Sequence, residues 1–293
     1  MSADGFVIVD KASGMTSHDV VAIARRALGT KKVGHAGTLD PMATGVLVLG
    51  FGIGTRLLQY ITDGEKAYDA TIVLGASTVT DDADGEVIQV CSPEKLSEIT
   101  DEMISNSLSR MRGVISQRPS SVSAVKVGGK RAYARVRDGE DVELPPREVT
   151  ISHLEVTDTR RSHGKIEVDI SVVCGAGTFI RAIARDCGDD LGVGGHLVAL
   201  RRILVSPFSL TRANSVEQLK RGEINALSVE EVAMMRFPIR NVTEEESREL
   251  SFGRALEPSG SDEVTAAFWN GRLIALLSNK ESKANPIAVF TSN

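Results

Sequence analysis

Residues 34–45 read GHAGTLDPMATG, a tight irregular loop that holds a single acid, Asp40, between Gly34, Gly37, Gly45 and Pro41; the apolar run of residues 46–49 follows as a buried strand. Glycine admits positive φ and close backbone approach, and proline fixes φ, so a carboxylate set among them has a defined position. Such a carboxylate can act as a nucleophile or base. The plainer reading of an Asp-Pro step is an aspartate that only accepts hydrogen bonds within its own turn. A second charged group points the same way. Arg181 falls in the first turn of a helix, where the dipole disfavours a cation, so its presence predicts a partner that offsets this. Tyr68, near the start of the alternating strand 66–74, reads either as a half-buried packing residue or as a functional one.

Several other chemistries are excluded by spacing. Residues 50–55 (GFGIGT) have neither the Lys-Ser/Thr of a phosphate-binding loop nor a full dinucleotide fingerprint. Residues 80–85 (TDDADG) resemble a calcium loop, but its first and twelfth positions would be Thr80 and Cys91, so the segment reads as a turn. Cys91, Cys174 and Cys187 match neither a zinc site nor a disulfide framework and read as small buried or half-buried residues. No cofactor and no metal is expected.

The net charge of −5 describes the average field, whereas binding depends on its distribution. Residues 113–137 carry six basic side chains and no acid, and are rich in Gly and Ser. That segment reads as a basic loop that contacts phosphates, with salt-sensitive affinity. A hydrophobic content of 42% is ordinary for a folded chain, no apolar run is long enough to span a membrane, and the N-terminus lacks a signal-peptide layout. The expected location is cytoplasmic.

The elements that must position these residues follow from local pattern. Residues 6–9 form a strand, and a helix begins at Thr16 or Ser17 and ends at Gly29. Residues 92–112 read as one helix capped by Ser92-Pro93, with Leu96, Ile99, Met103, Ile104, Leu108 and Met111 as its buried stripe. Residues 166–172 alternate as a strand, leading into a helix with Ile180, Ile183, Ala184, Cys187 and Leu191 on one face. Ser215, Ser228 and Thr243 open capping boxes, and Asn270-Gly271 marks a type I′ hairpin. Strands and helices are mixed rather than strictly alternating, which predicts an α+β fold with a largely antiparallel sheet.

The run from Gly34 to Leu47 closely resembles the catalytic motif of the TruB family of bacterial tRNA pseudouridine synthases. The resemblance extends through residues 65–68, 117–137, 174–181 and 194–202 in the family's order. It implies a pseudouridine-synthase catalytic core that isomerises the T-arm uridine at tRNA position 55, using an aspartate nucleophile and base flipping, without cofactor. Asp40 would be the catalytic acid, Tyr68 the aromatic that stacks on the flipped uracil, and Arg181 the partner of the aspartate. Substrate binding would fall to Lys11, His35, Lys126, Lys130, Arg131, Phe179 and Leu200, with His35 contacting the RNA backbone and Leu200 near the base. The partner would be the T stem-loop of tRNA, with no obligate protein partner and no membrane. Three departures stand out: Ala12 replaces a usual proline, Val122 a common aromatic, and Phe179 a frequent tyrosine.

The expected division is a catalytic domain over residues 1–237, with a basic RNA-gripping insertion at 113–146, and a small β-rich domain over 238–293. The latter resembles a PUA-type RNA-binding domain; a purely structural cap is the alternative. Chemically, a single acid in the central motif favours isomerisation over hydrolysis, since a glycosidase typically flanks the bond with two carboxyl groups. An RNA-binding or tRNA-folding factor and a nucleoside hydrolase are the competing readings.

Overall fold

The apolar run after Asp40 becomes a strand with both faces buried, which is why it reads as continuous rather than alternating. The computed structural model describes residues 4–121, 126–127, 130–131, 144–162, 164–258, 262–280 and 282–290, the side chains of 126–127 and 130–131 excepted. Its first strands are β1 (Gly5–Lys11), β2 (Val33–Ala36), β3 (Thr44–Phe51), β4 (Lys66–Leu74), β5 (Ala76–Thr78), β6 (Val87–Val90) and β7 (Gly113–Gln117). Then come β8 (Lys126–Val127), β9 (Lys130–Arg131), β10 (Arg147–Ser162), β11 (Lys165–Cys174), β12 (Gly195–Val205), β13 (Phe208–Ser209), β14 (Asn214–Ser215) and β15 (Ala226–Leu227). Eleven of these form one sheet in the order β14-β1-β3-β12-β4-β11-β10-β7, with β2, β13 and β15 attached off that path. All junctions along it are antiparallel except β14–β1 and β3–β12. A smaller sheet follows, β16 (Ile239–Asn241), β17 (Thr265–Trp269), β18 (Arg272–Lys280) and β19 (Lys283–Val289), in chain order. The fold is the expected mixed, largely antiparallel α+β class.

Alternation along β1 divides the core. Val7 and Val9 face one side, packed with Leu47, Leu49 and Ile72 against Val20 and Ala24 of the helix Ser17–Ala27 and Ile183 and Cys187 of the helix Ile180–Asp190. Phe6 and Ile8 face the other, with Val46, Val48 and Phe208, and there Ala266, Phe268 and Leu276 of the small sheet complete the layer. The helices therefore cover one face near the site while the small sheet backs the other.

One edge of β3 is shared. Residues 48–51 pair with β2 and residues 44–45 with β12, so the loop 37–43 lies where the neighbour changes. Gly45 makes this possible: it sits at φ +102, and a Cβ on it would lie 2.2 Å from the Arg202 carbonyl oxygen. Gly45→Ala is expected to lose more than about 3 kcal/mol of stability in urea unfolding, or to yield insoluble protein. Gly113, also at positive φ but with nothing within 4 Å of a built Cβ, supplies the comparison. Its alanine variant should lose only about 1 kcal/mol.

Four expectations are corrected. The stretch 34–36 is not loop but part of β2, because Gly34 serves close packing: a Cβ there would meet Leu58 at 2.9 Å. The single helix over 92–112 is two, Pro93–Ser97 and Asp101–Ser109, since Thr100 caps the second by accepting from the Met103 N–H. Met103, placed in the buried stripe, is 42% exposed. Gly113–Gln117, expected to begin the basic loop, is β7 and pairs with β10. The capping boxes at Ser215, Ser228 and Thr243 form as expected, and Asn270 and Gly271 both take positive φ, as a type I′ turn requires.

Candidate active site

The loop 37–43 is gripped from both sides. Lys11, 0% exposed at the end of β1, donates from Nζ to the carbonyls of Ala12 (3.0 Å), Met15 (2.7 Å) and Pro41 (3.2 Å). Ser17 exchanges hydrogen bonds with Leu39, its Oγ accepting from the Leu39 N–H at 2.9 Å and donating to the Leu39 carbonyl at 3.2 Å. From the other side Arg202, 1% exposed, donates to the carbonyls of Val46 (2.7 Å), Gly37 (3.1 Å) and Thr38 (3.4 Å). The parallel β3–β12 pairing brings Arg202 there. Two cations are thus spent on holding one loop whose only acid is Asp40.

Asp40 is presented to a cleft of about 340 Å³ lined also by Tyr68, Lys66, Arg147, Phe179, Arg181, Leu200 and Arg202. Its carboxylate is 34% exposed and bound side-on by Arg181, with Nε at 3.0 Å from Oδ2 and Nη2 at 3.3 Å from Oδ1. Arg181 is itself buried, its side chain 6% exposed. Its Nη1 reaches the Thr80 carbonyl at 2.8 Å and Asp82 Oδ2 at 3.2 Å. Two carboxylates therefore share one guanidinium at the helix start, offsetting the unfavourable dipole. The second turn of the same helix repeats the arrangement, Arg185 pairing with Asp81 at 3.1 Å. The turn 80–85 connects β5 and β6 as expected, and it also carries the carboxylates that anchor both arginines.

The remaining site residues divide by location. Tyr68 and Leu200, 7% and 8% exposed, line the cleft with Asp40. Burial pushes the Tyr68 phenol above its ordinary pKa, so it stays neutral. Phe179 also lines the cleft. Its backbone is clamped by Gln117, which donates to the Phe179 carbonyl at 3.1 Å and accepts from its N–H at 2.8 Å. Lys11 lies behind the loop, not in the cleft lining, and its ammonium is occupied by carbonyls. His35 is half-buried on β2, edge-on to His18 at 5.7 Å, also outside the cleft lining. Lys126, Lys130 and Arg131 belong to the β8–β9 pair, and their side chains and Val122 lie outside the described residues. Asp82, Arg202, Arg147, Lys66 and Gln117 were not singled out by sequence. For Asp82 no local signal was usable, because its acidic turn lies far along the chain from the helix whose first turn carries Arg181.

The buried Lys11 carries a pH signature. Desolvation lowers its pKa from the ordinary 10.5 to about 8. The native state thus releases this proton before the unfolded chain does, so its contribution to stability rises between about pH 8 and 10.5 and is lost as pH falls through 8. Urea unfolding across that window should give a steeper rise for the wild type than for Lys11→Met.

Among the described residues no cluster of His, Cys, Asp and Glu could hold a metal ion, and no helix is long and apolar enough to cross a membrane. Cys174 and Cys187 are buried, Cys91 is half-buried, and all three are free. Burial pushes the Cys187 thiol up to about 11.

Three family descriptions match consecutive parts of the chain. "TruB family pseudouridylate synthase (N terminal domain)" covers residues 25–180, "tRNA pseudouridylate synthase B C-terminal domain" covers 181–237, and "tRNA Pseudouridine synthase II, C terminal" covers 237–291. The tRNA pseudouridine synthase B of Corynebacterium diphtheriae is 48% identical over 99% of this chain and 97% of its own length. The enzyme of the same name from an Arthrobacter species is 50% identical over 98% and 96%, and that of Thermobifida fusca 47% over 99% and 100%. Among solved structures, the archaeal box H/ACA sRNP Nop10-Cbf5 complex contains a chain with the same fold, at a TM-score of 0.70 and 21% identity, covering 98% of this chain and 86% of that one. With the cleft geometry, these matches give one conclusion: the chain belongs to the TruB family of pseudouridylate synthases and is an isomerase.

Proposed function

We propose that this protein converts the T-arm uridine at tRNA position 55 to pseudouridine, with Asp40 as the nucleophile and no cofactor. One observation carries the reading: among the described residues lining the cleft, Asp40 is the single carboxylate, and its partner Arg181 is buried and braced by Asp82. A hydrolytic glycosidase needs a second carboxyl group in the cleft to activate water. Here the second carboxylate, Asp82, is 7% exposed and lies behind the guanidinium.

The reaction breaks the C1′–N1 bond of the nucleotide and forms C1′–C5, while the proton from C5 passes to solvent and N1 takes up one proton in its place. Nothing else is consumed. Arg181 holds the Asp40 carboxylate in place by its side-on contact. A paired uridine must first leave its stack at a cost of a few kcal/mol. Stacking on Tyr68 recovers about 1–3 kcal/mol, and Leu200 gives the ring an apolar floor. Phe179 forms another wall, and the basic insertion around Lys126, Lys130 and Arg131, with His35, meets the T-arm backbone. Lys11 acts indirectly by holding the Asp40 loop. We assign residues 1–237 to the catalytic unit and 238–293 to a small PUA-like domain, and the location to the cytoplasm.

Carbodiimide treatment of a tRNA transcript incubated with the enzyme, followed by primer extension, tests the position. A stop immediately 3′ of uridine 55 and nowhere else is expected. A stop only at another uridine would overturn the assignment.

A further inference from the structure

We infer that Arg147 is a phosphate-binding residue of the cleft, holding a phosphodiester that flanks the flipped uridine. The inference rests on the reading of this cleft as the uridine site and adds a residue to it. Arg147 begins β10 and lines the same cleft as Asp40. Its guanidinium lies 4.6 Å from the centre of the Phe179 ring, and Nη2 donates to the Gly177 carbonyl at 2.6 Å. Those two contacts fix the plane of the group. They leave the rest of it unspent, because Nε is buried with no hydrogen-bond partner and no carboxylate of the described residues pairs with it.

The neighbouring cations differ in this respect. Arg181 is shared by two carboxylates, Arg202 is used by three carbonyls, and Lys66 donates to the carbonyls of Thr62 (2.7 Å) and Gly64 (2.8 Å). Arg147 alone among these keeps both a free charge and a free buried donor. Its desolvation lowers its pKa below the ordinary arginine value with no opposing anion.

A buried donor without a partner is unfavourable in the free protein and is satisfied on binding only by an acceptor that reaches it. The target nucleotide offers two kinds. The uracil carbonyls are neutral in the ground state, whereas the phosphodiester carries a full charge throughout binding and reaction. A fork of N–H donors also matches the spacing of phosphate oxygens. Both facts favour the phosphate. Stacked on Phe179, the guanidinium is pre-oriented, so little side-chain freedom is lost when the RNA arrives.

The test uses the full-length protein and a T-arm stem-loop RNA, with affinity measured across salt concentrations and tritium release under single-turnover conditions. Arg147→Met should weaken binding about tenfold and lower the slope of log affinity against log salt by about 1. The release rate at saturating RNA should fall by less than the affinity does. Arg147→Lys should keep the salt slope while losing part of the affinity. A neutral methylphosphonate on one of the two phosphates flanking the target should weaken wild-type binding about tenfold and have no further effect on Arg147→Met. Should the methionine variant fail to fold, the lysine variant carries the same comparison, its response to the methylphosphonate being smaller than that of the wild type. The inference is overturned if each of the two methylphosphonates lowers the affinity of wild type and variant by equal factors. It is also overturned if the variant binds normally but reacts slowly, which places the guanidinium on the uracil. A wild type that releases no tritium from the stem-loop contradicts the reading of the cleft itself, whatever Arg147 does.

Discussion

Asp40→Asn is expected to lower turnover by about 10⁴-fold or more, the scale seen when a nucleophile is removed, while the fold and RNA binding persist. The substitution keeps shape and removes charge. The side chain is 34% exposed, so no buried volume is lost, and Arg181 retains Asp82 and the Thr80 carbonyl as partners. No charge is orphaned, and the loss of stability should be about 1 kcal/mol. Thermal unfolding and RNA affinity, measured beside turnover, separate this outcome from a general collapse of the site. A variant that unfolds would show that the carboxylate holds the loop together, a task that Lys11, Ser17 and Arg202 already perform.

Arg181→Met is expected to fail in both respects. Asp82 would keep its carboxylate 7% exposed with its guanidinium removed, and breaking a buried pair by removing one member costs about 3–5 kcal/mol. Asp40 would lose its side-on clamp, so turnover should fall with stability. Arg181→Lys restores charge but not reach, because one ammonium cannot span Asp40, Asp82 and the Thr80 carbonyl as the fork does. A double variant separates the two losses. Adding Asp82→Asn to Arg181→Met removes the stranded charge and should recover most of the stability, but not the activity. If Arg181→Met is as stable as wild type, the buried pair contributes nothing and this account of the site is wrong.

What could be read from the sequence was local. The strand after Asp40, the three capping boxes, the Asn-Gly hairpin and the helix carrying Arg181 follow from patterns within a few residues. The misplacement of Arg181 against its helix dipole correctly called for a partner, because electrostatic conflict is visible without tertiary structure. The identity of that partner's brace was not. Asp82 lies 99 positions from Arg181 and looked like one polar residue in a turn. Arg202 was not singled out by sequence, yet a parallel strand junction buries it against the Asp40 loop. Lys11 was expected to meet substrate, but its position at the end of a strand packed on both sides leaves its ammonium only carbonyls to bind. The split of helix 92–112 escaped notice because its apolar spacing survives the break, and only Thr100, in the middle of the stripe, marks a new cap.

The central claim is that Asp40 performs an isomerisation that releases the C5 hydrogen of uridine. Tritium release from tRNA transcripts labelled at uridine C5, measured for wild type and Asp40→Asn side by side, tests it most directly. Release by the wild type and none by the variant, with both proteins binding the tRNA, is the expected result. Equal release by the two proteins, or tRNA binding without release by either, would contradict it.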